Sequence, residues 1–356
     1  MSKQKHLPLS LALRAATVII KAGLVPFLWG KPGVGKTSGC RQLANRARIG
    51  FHSSRLNQMD ICDMLGVPKV DDKAGVTRWN PPAFIPREGA GLWLFDEFVQ
   101  AIPAMQNVAS EPLLEHTIGG IPLPQEWRLI AAGNNPDDNC ATHRMPEHIK
   151  SRFCHVFVES NIDALMQWAN DSEEFQSPVD LALVQPSSRL HQKVQAFLLY
   201  APQYLHKSPE KGDYTYPCPR TWEAVSRIMY VLDFCSEYID VRAAVLFGTV
   251  GIEAATAFLG FLNVCDRMID PETCINNPST APVPSADESQ ISYALSVALV
   301  HRADVRNFDN IGKYAARLRR EFRSLIISMS VQRVPALQAS SLYIGWLAET
   351  ANGISK

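Results

Sequence analysis

From residue 10 to 22 the apolar side chains of "SLALRAATVIIKA" recur at intervals of three and four and stop at Gly23. The spacing predicts an amphipathic helix that ends on a glycine cap. The pattern then changes. "LVPFLW", "RIGFHSS", "GLWLFDE", "WRLIAAGN" and "CHVFVE" are short apolar runs bounded by Gly, Asn or charge, with enough chain between successive runs for crossover segments. Apolar runs of this kind predict five parallel strands covered by helices on both faces, an α/β αβα sandwich ending near residue 185.

Beyond that point the period is helical throughout. "RLHQKVQAFLLYAPQYL", "RTWEAVSRIMYVLDFCSEY" and "AAVLFGTVGIEAATAFLGFLNVC" carry the pattern to residue 265, and further helices are expected near 290–302, 309–329 and, more weakly, 336–351. Residues 270–289, "DPETCINNPSTAPVPSADES", read as a proline-rich linker. The expected division is an α/β core over 1–185, a helical lid over 186–269, the linker over 270–289 and a C-terminal helical extension over 290–356 that packs with the lid. No internal repeat is evident.

Composition narrows the class. Apolar residues make up 46% and charged residues 20%, as in ordinary globular proteins. The 35 basic residues balance 35 acidic ones, so no global field attracts nucleic acid or anionic lipid. Eight cysteines occur without any CxxC pair, which points to reduced thiols and a cytoplasmic location. Arg14 interrupts the apolar N-terminal run, so it reads as a helix and not as a secretory signal. The longest apolar tract, 243–264, contains Glu253 and helix-weakening Gly and Thr, and reads as a buried helix pair rather than a membrane span.

The chemistry concentrates in "GKPGVGKT", Gly30 to Thr37, which fits G-x-x-x-x-G-K-[ST] between a predicted strand and a predicted helix. Small residues let backbone N–H groups converge, and the following helix adds its positive end, which together bind phosphate. Gly30, Lys31, Pro32, Gly33, Val34, Gly35, Lys36, Thr37 and Ser38 are the expected cradle for ATP. Lys36 is suited to the β and γ phosphates and the Thr37 hydroxyl to Mg²⁺. "LWLFDE" supplies Asp96 as the second Mg²⁺ ligand and Glu97 as general base for the attacking water. Asn134 and Asn135 end the strand "WRLIAAGNNP", where an amide orients water or senses the γ-phosphate; an Asn-Pro turn is the structural alternative.

Two arginines complete the set. Arg152 in "MPEHIKSRF" stands where it could reach a neighbouring subunit's γ-phosphate, although a solvated surface arginine has the same signature. Arg220, in the first turn of a helix behind Pro219, opposes the helix dipole and calls for an anion. Cys140, His143, His148 and Cys154 have the residue types of a zinc set, but their spacing matches no familiar finger.

The order and spacing of these motifs resemble the AAA+ ATPases, specifically the MoxR branch, which carries an insertion in the second helix. The resemblance covers "GKPGVGKT", "LWLFDE", "AAGNNP", "PEHIKSRF" and "CPRTWEAVSR". It implies a homo-oligomeric ring, usually a hexamer, that hydrolyses Mg-ATP at subunit interfaces and remodels a protein client in a chaperone-like way. A protein with a von Willebrand factor A domain is the implied partner. Lys36, Thr37, Asp96 and Glu97 take the roles given above, Arg152 acts in trans and Arg220 reports nucleotide state to the lid. Of the two asparagines the resemblance selects Asn135, just before proline. Residues 57–89 look like the helix-two insertion and "EHTIGGIPLPQEW" like the hairpin that precedes the sensor strand; both are candidates for client contact. The competing expectations are an ATP-gated scaffold with little turnover, which Glu97 and Arg152 argue against, and a nucleic-acid motor, which the charge balance argues against.

Overall fold

The computed structural model describes residues 5–136, 143–162, 166, 177–210, 212–265, 267–285 and 287–353. Strands are β1 (His6–Leu7), β2 (Val25–Trp29), β3 (Gly50–Arg55), β4 (Val67–Asp71), β5 (Val76–Asn80), β6 (Gly91–Asp96), β7 (Thr117–Ile118), β8 (Ile121–Pro122), β9 (Trp127–Gly133) and β10 (Phe153–Val158). Helices of the first part are α1 (Leu9–Lys21), α2 (Lys36–Ala47), α3 (Ile61–Leu65), α4 (Pro103–Glu115) and α5 (Glu147–Lys150). Then come α6 (Gln192–Tyr200), α7 (Pro219–Phe234), α8 (Arg242–Val250), α9 (Ile252–Cys265), α10 (Pro271–Asn276), α11 (Ser289–Arg302), α12 (Phe308–Ala315), α13 (Arg320–Arg333) and α14 (Ser341–Gly353).

The chain divides into two compact units, one of residues 1–189 with 206–255 and the other of 190–205 with 256–356. The first holds a six-stranded parallel sheet in the order β1-β10-β2-β9-β6-β3. All five expected strands are present. The sixth, β1, is a two-residue edge pairing His6 with Phe157 and Leu7 with Val158, too short to carry a sequence period. After β2 the chain crosses to the far edge at β3, returns through β6 and β9, and adds β10 on the other side of β2. That reversal makes the carboxyl end of β2 a topological switch point, the usual place for a ligand in an open parallel sheet.

Alternation along β2, β6, β9 and β10 buries both faces. Phe27, Trp29, Trp93, Phe95, Leu129, Ala131, Phe153 and Phe157 form one cluster with Met105 and Ala109 of α4 and Ile149 of α5. The intervening residues, among them Leu28, Leu94, Ile130, Ala132 and Val156, are as fully buried, and α1, α2 and α8 pack on the sheet. α1 ends as expected: Gly23 has φ +67°, and the N–H groups of Gly23 and Leu24 close back on the carbonyls of Ile20 and Ile19. The apolar tract 243–264 is split at Gly251, φ +82°, into α8 and α9. Among the described residues no helix is long and apolar enough to cross a membrane.

Residues 57–89 contain α3 and the hairpin β4/β5, an isolated two-stranded sheet whose Val67, Val70, Val76 and Trp79 are exposed. The second hairpin, β7/β8, turns at Gly119 and Gly120, both with positive φ. Its turn is tied to α4, because the Glu111 carboxylate accepts from the N–H groups of both glycines and from the Thr117 hydroxyl.

In the second unit a core of Leu295, Leu299, Phe308, Ile311, Tyr314, Ile326 and Ile327 is built from α11, α12 and α13. Two sequence expectations change here. Residues 270–289 are not all loop: Asp270 caps α10 through the Glu272 N–H, and Pro271 occupies the first helical position, where proline loses no hydrogen bond. The expected helix over 309–329 is two, α12 and α13, broken at residues 316–319 without a glycine or proline to mark it.

Candidate functional site

β2 runs apolar to Trp29 and then turns through Gly30–Gly35 into α2. The turn needs glycine at two positions, since Gly33 (φ +79°) and Gly35 (φ +95°) lie in the left-handed region. Gly30 is required for another reason: a Cβ there would come within 2.9 Å of the Val158 carbonyl oxygen. No side chain caps α2 and its first turn carries no acid, so its first-turn N–H groups and the positive end of its dipole suit an anion. Lys36 is buried, and its ammonium donates to the carbonyls of Gly30 (2.6 Å) and Lys31 (3.1 Å) and to Asn134 Oδ1 (3.0 Å).

The acidic pair stands beside it. Thr37 Oγ1 donates to Asp96 Oδ2 at 2.7 Å, so two hard oxygen donors of the kind Mg²⁺ prefers already meet. Asp96 Oδ1 accepts the Glu97 N–H at 3.0 Å. Glu97 itself has φ +55° and ψ +37°, a left-handed conformation that costs a non-glycine residue free energy and is retained where it aims a side chain. Burial first, and the neighbouring Asp96 charge second, raise the Glu97 pKa above 4.5; Lys36 and Arg55 pull the other way. A carboxylate so placed is a stronger base than an exposed one.

One of the two asparagines joins the group. Register pairs Leu28 with Ala132 and Leu94 with Ile130, so even-numbered residues of β2, β6 and β9 share a face, which Asp96 and Asn134 continue at the carboxyl ends. Asn134 is buried, its Oδ1 on Lys36 and its Nδ2 3.5 Å from Glu97 Oε2. Asn135, the residue selected by resemblance, lies two residues beyond the end of β9 and is partly exposed. Sequence reasoning held both in view and chose Asn135 by resemblance; the contacts with Lys36 and Glu97 are those of Asn134.

Arg152 and Arg220 lie elsewhere. Phe153 pairs with Val25 at the start of β2, so Arg152 stands at the amino edge of the sheet, a five-residue strand or about 15 Å from the phosphate loop. Its Nε donates to the His148 carbonyl at 2.8 Å, and its Nη1 is buried without a hydrogen-bond partner. Arg220 Nη1 donates to Ser151 Oγ at 2.8 Å. Burial and the positive field of Arg220 both lower the Arg152 pKa, so two like charges share this edge. Their neighbourhood was not foreseen, since 67 residues separate them in sequence.

Of the zinc-like set, Cys140 lies outside the described residues. His143 donates its backbone N–H to Val99, and Cys154 is buried on β10 with its thiol pushed up to about 12 by desolvation. No group of three or more metal-ligating side chains occurs among the described residues.

No family model matches the sequence, and no curated protein matches it. Among solved structures, a candidate ATPase of Cytophaga hutchinsonii superposes with a TM-score of 0.46 at 16% identity, over 67% of this chain and 81% of that one. A full-length MCM homologue of Methanopyrus kandleri gives a TM-score of 0.41 at 14% identity, over 67% of this chain and 55% of its own.

Proposed function

We propose that this chain is an AAA+ ATPase of the MoxR type that binds Mg-ATP at the carboxyl edge of its sheet and hydrolyses it with help from a neighbouring copy. One observation carries the reading. Lys36, Thr37, Asp96, Glu97 and Asn134 form a single hydrogen-bonded constellation beside an uncapped helix N-terminus, while the two arginines stand at the opposite edge.

The residues fit the substrate. Lys36 exchanges its carbonyl partners for β- and γ-phosphate oxygens, and the N–H groups of Gly33 to Thr37 surround the phosphates. Mg²⁺ held by Thr37 and Asp96 would neutralise phosphate charge. Glu97 accepts a proton from the attacking water, and the Asn134 amide, already beside both Lys36 and Glu97, orients that carboxylate and the water. Arg152 cannot reach its own P-loop across the sheet. It fits the γ-phosphate of an adjacent copy, and Arg220, held on Ser151, joins it from the same edge. Arg220 is therefore assigned to the neighbour's site rather than to its own.

A ring follows from this division, because only a closed arrangement gives every site its arginines. The resemblance of motif order to the MoxR branch supports remodelling of a protein client, cytoplasmic location and a von Willebrand factor A domain partner. Steady-state hydrolysis tests the reading. Glu97→Gln should retain ATP binding and lose turnover by about a thousandfold, the scale of losing a general base and its positioned water; Lys36→Ala should lose binding. Turnover unchanged by Glu97→Gln would remove the hydrolytic reading.

A further inference from the structure

Beneath the phosphate loop lies a buried polar pair that none of the motifs uses. His155, on β10, is fully buried. Its Nδ1 lies 2.8 Å from the indole Nε1 of Trp29, and its Nε2 lies 3.1 Å from the Lys150 carbonyl oxygen. Indole N–H can only donate, so Nδ1 must accept and Nε2 must carry the proton that bonds Lys150. Burial pushes the His155 pKa down to about 4, so this tautomer persists at neutral pH.

Both ends of the pair lead to chemistry. Trp29 immediately precedes Gly30, whose carbonyl holds the Lys36 ammonium. Lys150 is followed by Ser151, which holds Arg220, and by Arg152. A second tie runs through the segment that enters α7: Lys150 Nζ donates to the Asp213 carbonyl at 3.0 Å, and Tyr214 packs edge-on against Trp29, with ring centroids 4.8 Å apart. Tyr214 also meets His155 and Phe157. A buried donor left without its acceptor is costly, so the carbonyl of Lys150 and the indole of Trp29 are held where this imidazole can reach both.

We infer that His155 is a positioning residue: through its bonds to Trp29 and Lys150 it holds the arginine-bearing edge in register with the phosphate loop, so that each copy presents Arg152 and Arg220 correctly to its neighbour. The inference rests on the proposed trans role of Arg152. It predicts a defect in what a copy donates, and none in what it binds.

Complementation between copies reads that difference. His155→Phe keeps an aromatic ring and loses both bonds; alone, it should lower kcat about 10- to 100-fold, the effect of a small misplacement, with KM for ATP unchanged. Mixed with Glu97→Gln, which cannot hydrolyse but has intact arginines, His155→Phe should regain activity, because its own P-loops then face correctly placed arginines. His155→Gln, which offers both an acceptor and a donor, should recover most of kcat. Trp29→Phe should reproduce the loss and its rescue, and serves if His155→Phe does not fold.

Arg152→Ala mixed with Glu97→Gln runs alongside. If that pair regains activity and the His155→Phe and Trp29→Phe pairs do not, the positioning role is overturned and the trans reading stands. If the Arg152→Ala pair stays inactive, the trans reading itself fails and the inference falls with it. A raised KM for ATP in His155→Phe, without rescue, would show a defect confined to its own site.

Discussion

At the scale of single residues, the site is decided by where two amides and one carboxylate point. Asn134 is buried against Lys36 and Glu97, whereas Asn135, two residues past β9, is partly exposed, so the two substitutions should behave differently. Asn134→Ala should lower kcat by about a hundredfold with modest change in KM, as expected for a group that aids the transition state, while Asn135→Ala stays near wild type. Steady-state kinetics on the pair checks this, and a loss confined to Asn135→Ala would return the role to Asn135. Glu97 makes a second prediction. A general base works when deprotonated, and burial with the adjacent Asp96 raises its pKa, so kcat/KM should fall as pH drops through a value above the ordinary 4.5. A rate profile flat from pH 8 down to about 4.5, the unperturbed carboxylate range, would contradict the assignment.

At the scale of elements, close approach of backbone explains residues whose side chains do nothing. Gly248 on α8 faces β10, and a Cβ there would lie 1.7 Å from the His155 carbonyl oxygen, so the helix can pack on the strand only with glycine. Gly248→Ala should cost stability of about 2–3 kcal/mol by forcing helix from strand, read as a lower urea midpoint. An unchanged midpoint would mean that α8 yields freely. The same scale shows what the sequence made legible. Four of the five main strands, β2, β6, β9 and β10, were visible because burial on both faces leaves continuous apolar runs, while the edge strand β3 is half polar and only partly buried; the P-loop was visible because glycine, lysine and threonine each have a separate reason to be there. The hairpin β4/β5 was not visible as strands: its apolar residues are exposed, so no buried face imposes a period. The break between α12 and α13 was hidden because tertiary packing and not a breaker residue sets it. α10 was readable in retrospect from Asp270-Pro271, a cap and a first-turn proline masked by the prolines that follow.

At the scale of the whole molecule, parallel strand order puts the phosphate loop and the arginines on opposite edges of one sheet. A single copy cannot unite them, whatever its side chains do. The pairing of Arg152 with Arg220 was illegible in sequence because it depends on α7 returning to the start of β10. Two substitutions separate the halves of the proposed site: Glu97→Gln spoils the edge that binds ATP, and Arg152→Ala the edge that is lent to a neighbour. Each should be nearly inactive alone. The most direct measurement is ATP hydrolysis by the two proteins mixed in increasing proportion. If catalysis is shared between copies, activity rises well above either protein alone and peaks at intermediate mixing; activity that never exceeds the sum of the two would contradict a site built from adjoining copies.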